Sequence, residues 1–246
     1  MNDTGPAAGL RAVILAGGRG TRLHPFTVNF PKPLVPLGDT PVVEVLMERL
    51  ISFGINDITL TLGHLAELMR AYFDRRYSLL ERTKLNFIEE QEPTGTAGSL
   101  ASVPDLSRTF LVMNGDLLTN IDFNALVAHH YASNAALTIA VHQRQVRIDL
   151  GVLDFDDSYS ITNYREKPKM DYYASMGIYV YEPRVTQYIQ KGVFLDFPTL
   201  VLRLIEAGEK VTAFPSDCLW LDIGRPDDYA RAQEIFTSRR AEFDTI

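Results

Sequence analysis

The sequence predicts an α/β fold with a doubly wound, mostly parallel sheet and a second, smaller lobe. Strand-like and helix-like segments alternate through the first half of the 246-residue chain, and this alternation favours parallel strands joined by crossover helices. Two strand-like segments, at 12–16 and 109–113, are continuous apolar runs, as expected of strands buried on both faces. A hydrophobic content of 46% is ordinary for a globular protein.

The first half supplies most of the predicted sheet. One helix is predicted to begin with Thr40 as its N-cap and Pro41 in its first turn. A second helix is predicted over 66–73, and Asp122 is expected to cap a third that runs to about 131. The predicted strands are 12–16, 55–62, 85–88, 109–113 and 135–141.

The second half is less regular. Its predicted strands are 151–155, 161–165 and 176–181, and its predicted helices are 183–190, 197–207 and 225–236. No internal repeat, low-complexity tract or Pro/Ser-rich linker interrupts the chain. We therefore expect a flexible N-terminus at 1–10 and a single domain at 11–240. Its two halves, 11–120 and 121–240, would form lobes with a ligand site between them.

The composition argues against several classes of function. A formal net charge of −7 and the lack of a basic run argue against nucleic-acid binding. Cys218 is the only cysteine, which excludes an internal disulfide and a cysteine-rich metal site and fits a reducing compartment. No apolar run approaches the ~20 residues of a membrane span, and the polar N-terminus lacks a signal-peptide core. We expect a cytoplasmic protein that binds no membrane.

The segment 12–36, AVILAGGRGTRLHPFTVNFPKPLVP, predicts a phosphate-binding loop. Its glycines can turn backbone N–H groups toward an anion, because no Cβ blocks close approach. Two cations, Arg22 and Lys32, follow the loop. Pro31 and Pro33 stiffen the segment around the lysine, and Pro33 favours an extended backbone at Lys32. Glycines and fixed cations together indicate phosphate.

Two familiar phosphate loops do not fit this segment. The P-loop requires Lys followed by Ser or Thr, whereas Thr21 and Arg22 follow Gly20. The dinucleotide-binding fingerprint requires a third glycine where Leu23 stands, and its acidic partner would be Asp39, which lies in a predicted turn. A merely tight strand-to-helix turn would leave both cations unexplained.

Two carboxylates follow apolar segments. Asp116, in Asn114-Gly115-Asp116, comes after the predicted strand 109–113, and Asp222, in WLDIGRP, follows another apolar segment. A side chain at the carboxyl end of a central strand faces the ligand crevice. Mg²⁺ is usually held by one or two carboxylates together with substrate phosphates. Asp116 and Asp222 are therefore candidate Mg²⁺ ligands, although each alone also fits a capping or turn residue.

Three further segments are candidates for substrate contacts. Lys167, followed by a proline, is a candidate for a second phosphate group and Glu166 for sugar hydroxyls, although charges at a strand exit are usually solvated. The small residues of Glu92–Ser99 could admit a flat base or simply begin a helix. Gly177 indicates either a bulge or the close approach of a ligand.

In this order the segments closely resemble the sugar-1-phosphate nucleotidyltransferases, or NDP-sugar pyrophosphorylases. The resemblance is carried by LAGGRGTRLHPFT with PKPLVP, then by GTAGS, NGD, EKP, SMGIYVY and WLDIGRPDDYARA, from about Arg11 to Phe236. It implies a Rossmann-like domain with a nucleotide half at 11–120 and a sugar-binding half at 121–240. The family's trailing left-handed β-helix domain has no counterpart, so we expect a catalytic-domain-only member.

The resemblance also implies a reaction and residue roles. A sugar 1-phosphate would attack the α-phosphorus of an NTP and release pyrophosphate, with Mg²⁺ as cofactor. By similarity, Arg22 would hold the triphosphate and Lys32 would stabilise the pentacoordinate phosphoryl group. Asp116, with Asp222, would hold the metal ion.

The same resemblance implies the binding residues. Those for the nucleotide would be Leu15, Ala16, Gly17, Gly18, Gly20, Thr21, Glu92, Gly95, Thr96 and Ala97. Those for the sugar phosphate would be Asn114, Gly151, Glu166, Lys167 and Gly177.

The base and the sugar are less clear from the sequence. Guanylyltransferases acting on mannose-, heptose- or hexosamine-1-phosphates are the family members most similar in the segments EQEPTGTAGS, NGDLLTNID and WLDIGRPDDY. GTP is therefore expected, and thymidylyl, uridylyl, cytidylyl and phosphocholine-type cytidylyl transfer are the alternatives. A paralogue that keeps the fold for binding or regulation but lacks catalytic activity is disfavoured, because Arg22 and Lys32 and the carboxylates of Asp116 and Asp222 are all present. The sequence does not identify the sugar, and it leaves a homo-oligomer open.

Overall fold

The computed structural model describes residues 5–243, which are organised around one seven-stranded sheet. The strands are β1 (Arg11–Ala16), β2 (Asp57–Leu62), β3 (Lys84–Glu89), β4 (Phe110–Asn114), β5 (Leu137–Arg147), β6 (Lys169–Tyr181) and β7 (Val211–Pro215). Their order across the sheet is β7-β5-β6-β4-β1-β2-β3. Neighbours are parallel except at β6, which is antiparallel to β4 and β5. The predicted mostly parallel sheet is confirmed.

Helices connect the strands. They are α1 (Val42–Ser52), α2 (Ala66–Phe73), α3 (Tyr77–Leu80), α4 (Gly95–Gly98), α5 (Phe123–Ser133), α6 (Phe197–Glu206) and α7 (Pro226–Ser238). Short 3₁₀ helices lie at Thr21–Leu23, Lys32–Leu34, Ser99–Ser102, Pro183–Tyr188 and Arg240–Glu242. The helix predicted over 183–190 is therefore a 3₁₀ helix. Of the helices between residues 5 and 243, none has the length and apolar character needed to cross a bilayer.

The apolar run in β1 is explained by burial on both faces. Ala12 and Ile14 pack into a cluster with side chains of α1, α2 and α5, whereas Val13 packs into a second cluster with α6. Successive side chains of a strand point to opposite faces, so helices cover both sides of the sheet. All three residues are fully buried.

The first helix begins later than the sequence predicts. Thr40–Pro41 forms a two-residue strand paired with Pro36–Leu37, and the helix starts at Val42. Because strand pairing holds Thr40, it does not act as an N-cap. The cap predicted for α5 is confirmed, since the Asp122 carboxylate accepts a hydrogen bond from the Ala125 N–H at 3.0 Å.

β5 and β6 extend beyond the rest of the sheet as a two-stranded ribbon. Their pairing continues outward from Val141 with Ser175 to Arg147 with Lys169. A register shift between Ser175 and Tyr179 separates this ribbon from the part of β6 that pairs inside the sheet. The strand predicted at 176–181 is thus the inner end of a longer one.

The ribbon carries a hairpin, and together they form what we call the arm, residues 141–175. The hairpin pairs Gly151–Phe155 with Ile161–Glu166, and it forms a sheet of its own. Strands from both predicted halves, 11–120 and 121–240, share the seven-stranded sheet. The arm, rather than a second core, is the part that stands apart from the sheet.

Residues 5–10 pack against the rest of the protein. Ala7 is fully buried and its N–H donates to Asn124 Oδ1 at 3.0 Å. The Gly9 N–H donates to the Gly54 carbonyl at 2.9 Å. This part of the N-terminus therefore differs from the flexible terminus predicted over 1–10, of which residues 1–4 lie outside the described residues.

Candidate active site

A cavity of about 380 Å³ lies at the carboxyl edge of the parallel strands. The strand register places Leu15 of β1 beside Thr61 of β2 and Asn114 of β4, so three strand ends meet there. Open α/β sheets bind ligands at this edge. Among the residues predicted for the site, the cavity is lined by Leu15, Ala16, Gly17, Gly18, Gly20, Thr21, Arg22, Lys32, Gly95, Thr96, Asn114 and Asp116.

The glycine-rich loop folds back onto the segment that carries Lys32. Gly20 has a φ of +62°, and a Cβ at this position would lie 3.1 Å from the Cβ of Lys32. The Thr27 hydroxyl donates a hydrogen bond to the Gly20 carbonyl at 2.6 Å. A positive φ and this close approach both favour glycine, so the glycine fixes the loop against the lysine.

Lys32 forms an ion pair with Asp116, and their side chains are only 11% and 20% exposed. The lysine begins a 3₁₀ helix, since the Leu34 N–H donates to the Pro31 carbonyl at 2.9 Å. The extended backbone predicted for Lys32 is therefore wrong, because the hydrogen bonds of the turn outweigh the restriction from the following proline. The extended backbone conformation is found at Pro31 instead.

Asp222 lies beside Asp116 because two short strands pair there. Trp220–Asp222 is antiparallel to Leu117–Thr119, which directly follows Asp116. The Ile223 N–H also donates to the Asp116 carbonyl at 3.0 Å. Burial, together with the negative charge of Asp116, raises the pKa of Asp222, while Lys32 and Arg22 act in the opposite direction.

Arg22 lies close to the same carboxylate. A Cβ on Gly224 would lie 3.7 Å from the guanidinium carbon of Arg22 and 3.6 Å from Oδ1 of Asp222. The fold therefore brings Arg22, Lys32, Asp116 and Asp222 together.

The chemistry of this group fits a divalent cation. One carboxylate is partly buried beside another, and a cation between substrate phosphates and these oxygens would relieve their repulsion. Asp116 and Asp222 are the two side chains suited to hold it. Within residues 5–243, no group of three or more His, Cys, Asp or Glu side chains is placed to bind a metal.

The glycine-rich segment around α4 is held by a distant part of the chain. The Ala97 N–H donates to the Leu195 carbonyl at 3.0 Å, and the Leu195 N–H donates to the Thr94 carbonyl at 2.8 Å. Gly95 has a φ of +84°, and a Cβ there would approach the Leu195 carbonyl oxygen to 2.5 Å. These contacts fix Gly95 and Thr96, which line the cavity.

Of the two glutamates near the glycine-rich segment, Glu90 rather than Glu92 lines the cavity. Glu92 is exposed, and it lies outside the residues that line the cavity, as does the buried Ala97. Glu90 lines the cavity, and it directly follows β3. Its position at a strand end was the available signal, because β3 runs parallel to β2 and ends at the same edge. Thr61 is a further lining residue that the sequence did not indicate. Pro93 and Ser99 fall within the predicted segment Glu92–Ser99, and Pro33 and Gly115 adjoin the predicted Lys32 and Asp116.

The residues predicted for the sugar phosphate lie in two places. Asn114 lines the cavity, and Gly177 supports it. Gly177 has a φ of +70°, and a Cβ there would approach Asn114 Nδ2 to 2.5 Å. Only a glycine leaves room for the Asn114 amide at this bulge.

The other three, Gly151, Glu166 and Lys167, lie on the hairpin of the arm. All three are exposed, and none is among the residues that line the cavity. The Tyr164 hydroxyl lies against Gly151 and donates to Glu166 at 2.9 Å. The structure therefore groups these three residues with each other and not with the phosphate loop.

Comparison with known proteins gives one matching family, described as nucleotidyl transferase, over residues 11–239. A UTP–glucose-1-phosphate uridylyltransferase of Synechocystis sp. is 32% identical over 94% of this chain and 64% of its own length. The mannose-1-phosphate guanylyltransferase catalytic subunit beta of Drosophila melanogaster is 32% identical over 94% of this chain and 63% of its own length. The chain thus spans slightly less than two thirds of these relatives.

Two solved structures share the fold. HddC from Yersinia pseudotuberculosis, crystallised with GMP-PN, has a TM-score of 0.70 and 26% identity, covering 92% of this chain and 99% of its own. A putative glucose-1-phosphate thymidylyltransferase from Bacillus anthracis has a TM-score of 0.72 over 92% of this chain and 95% of its own. At 22% identity, the second likeness concerns the fold alone.

Proposed function

This chain belongs to the nucleotidyltransferase family, and we propose that it transfers a nucleoside monophosphate from an NTP to a sugar 1-phosphate. The observation that carries the proposal is the assembly of two cations and two carboxylates beside the glycine-rich loop. The relatives that act on glucose 1-phosphate and mannose 1-phosphate support the sugar 1-phosphate as acceptor.

The proposed reaction is an in-line displacement at the α-phosphorus. An oxygen of the sugar phosphate forms a new bond to that phosphorus, the bond to the β-phosphate oxygen breaks, and pyrophosphate leaves. The attacking oxygen is already ionised, so no general base is needed. Lys32 would stabilise the charge of the pentacoordinate phosphoryl group, and Arg22 would hold the triphosphate and the departing pyrophosphate.

We assign the Mg²⁺ site to Asp116 and Asp222. A metal ion held there would neutralise charge on the phosphate oxygens. The ion pair between Lys32 and Asp116 supports this arrangement, because it keeps the lysine next to the carboxylate that would face the phosphates. The cysteine content, with Cys218 alone, supports a cytoplasmic location.

For the sugar phosphate, we assign Asn114 and Gly177 at the cavity and Gly151, Glu166 and Lys167 on the arm. The lysine would bind the phosphate and the glutamate would accept hydrogen bonds from sugar hydroxyls. The exposure of the arm residues supports roles in contacts with a ligand, because the core does not engage them.

We assign GTP as the nucleotide. Glu90 at the cavity is an acceptor, and guanine offers two adjacent donors, N1–H and the 2-amino group, whereas uracil and thymine offer one ring N–H between carbonyl oxygens. The guanylyltransferase relatives agree with this choice. Uridylyl transfer is the second candidate, because the relative from Synechocystis is equally similar.

The test is pyrophosphate release from GTP, UTP, dTTP and CTP, each with a panel of sugar 1-phosphates and Mg²⁺. A mismatched base would leave a buried acceptor unpaired, which costs about 1–3 kcal/mol. We therefore expect GTP to exceed the other nucleotides in kcat/KM by at least about tenfold. Equal turnover with UTP or dTTP would overturn the guanylyl assignment. An absence of pyrophosphate release with every pair would overturn the whole proposal.

A further inference from the structure

The Glu90 carboxylate is held by Thr94 and lies close to Gly17. Its Oε1 accepts hydrogen bonds from the Thr94 N–H, at 3.3 Å, and from the Thr94 hydroxyl. Its Oε2 lies 3.2 Å from the position that a Cβ on Gly17 would occupy. The Glu90 N–H donates to the Leu62 carbonyl at 2.9 Å, which continues the pairing of β2 and β3. Both the backbone and the carboxylate of Glu90 are therefore fixed.

Thr94 is itself anchored by its surroundings. Its carbonyl accepts the hydrogen bond from the Leu195 N–H at 2.8 Å. Its Cβ lies 3.1 Å from the position that a Cβ on Gly98 would occupy, so α4 packs directly against it. The threonine hydroxyl therefore meets Glu90 from a position that the neighbouring backbone determines.

We propose that Thr94 is a specificity-determining residue that positions Glu90 to read the base. This rests on the proposed guanylyl transfer. A carboxylate oxygen only accepts hydrogen bonds, and the Thr94 hydroxyl donates one to Glu90. Each carboxylate oxygen has two acceptor sites. Thr94 occupies both sites of Oε1 with its N–H and its hydroxyl, and both sites of Oε2 stay free. Thr94 and Glu90 together therefore favour a base whose edge carries two adjacent hydrogen-bond donors.

The same arrangement disfavours bases with carbonyl groups on that edge. A carboxylate that could rotate would present its oxygens in other directions and weaken the discrimination. The two hydrogen bonds from Thr94 restrict this rotation. Glu90 thus supplies the acceptor, and Thr94 keeps it in the orientation that guanine requires.

The test compares Thr94→Val with Thr94→Ser. Valine keeps the branched shape and the backbone N–H but lacks the hydroxyl, whereas serine retains it. GTP and ITP are the probes, because ITP lacks only the 2-amino group. The unchanged protein is expected to prefer GTP over ITP in kcat/KM by about tenfold. Thr94→Val should reduce this ratio to about twofold, mainly through the KM for GTP, and Thr94→Ser should retain it.

A double-mutant cycle separates positioning from a general structural effect. In a Glu90→Gln protein, Thr94→Val should leave the GTP:ITP ratio unchanged, because the residue it positions is gone. A similar further loss in that background would overturn the proposal. If Thr94→Val does not fold, Thr94→Ala provides the same comparison with Thr94→Ser, and calorimetric titration with GTP and ITP gives binding without turnover.

The outcomes distinguish this proposal from the function it rests on. If the unchanged protein uses UTP as well as GTP, the guanylyl assignment fails and the role of Thr94 fails with it. If it prefers GTP but Thr94→Val keeps the full GTP:ITP ratio, only the role of Thr94 is overturned. If serine and valine lower the ratio equally, the hydroxyl is not responsible and the proposal is likewise wrong.

Discussion

The cavity and the arm are built in opposite ways. At the cavity, the side chains of Lys32 and Asp116 are 11% and 20% exposed, and the strands that end there pass through the apolar core. On the arm, the exposed fractions of Phe155, Ile161 and Tyr164 are 60%, 65% and 59%. The first region is fixed by packing from several elements. The second joins the main sheet through one pair of strands and ends in a hairpin that forms its own sheet.

This difference predicts a division of labour. Groups that must meet a developing charge need fixed positions, since a small displacement costs much of their effect. Groups that only bind a substrate tolerate a more mobile support. Substitutions in the cavity should therefore alter the chemical step, and substitutions on the arm should alter the affinity for the acceptor.

The largest effect is expected for Asp222→Asn. Losing a metal ligand should cost several kcal/mol of transition-state stabilisation, measured as pyrophosphate release over a range of Mg²⁺ concentrations. Asp217→Asn is the matched control, because Asp217 is an exposed carboxylate nearby in the sequence. Near-normal turnover of the Asp222 variant would contradict the metal assignment.

Lys32→Ala should lower kcat by about 10²–10³-fold, the cost of removing one preorganised group that stabilises transition-state charge. The Kd for the nucleotide, measured by titration, should change little, whereas Arg22→Ala should weaken nucleotide binding as well. Lys191→Ala serves as the control, because this lysine is exposed and lies outside the cavity lining. A Lys32 variant that changes only substrate affinity would assign the lysine to ground-state binding.

Lys167→Ala tests the arm. Losing one exposed charge-assisted contact should raise the KM for the sugar 1-phosphate by about tenfold, with the KM for the nucleotide unchanged. Lys169→Ala is the matched control, because it removes a second exposed arm lysine near the first. If both variants behave like the unchanged protein, the arm does not bind the acceptor phosphate and the division of labour fails.

The smallest effect is expected for a substitution on the hairpin of the arm. Ile161→Ala, on the exposed hairpin, should change the free energy of unfolding by no more than about 0.5 kcal/mol, measured by chemical denaturation. Leu111→Ala, at a fully buried position of β4, should cost about 2–5 kcal/mol. Similar losses for both would mean that the arm is part of the folding core.

The sequence predicted the parts of the site that lie directly on strong patterns. Arg22 and Lys32 are marked by glycines and prolines, and Asp116 by the apolar strand before it. The parallel register of β1 and β4 then accounts for their meeting at one edge. Asp222 was identified as a candidate ligand, although its three-residue strand was not predicted because so short an element shows no periodicity.

Other parts depend on strand ends that were not recognised and on contacts between distant segments. Glu92 lies within the glycine-rich segment, but it is Glu90, at the end of β3, that lines the cavity. The contact of Leu195 with Thr94 joins segments about 100 residues apart, and nothing near either residue indicates it. The length of β6 was missed because its outer part is exposed on both faces and lacks an apolar run.

The bulge at Gly177 has an evolutionary consequence. On one side of it, Ile178 and Val180 are fully buried, and on the other Tyr172 and Tyr173 are half or more exposed. Substitutions are therefore expected to reduce the free energy of unfolding far more on the buried side of this bulge than on the exposed side. If substitutions beyond the bulge scarcely affect folding, as expected for Ile161→Ala, the proposed function makes the arm the region where related chains can diverge in acceptor while the residues at the cavity are retained.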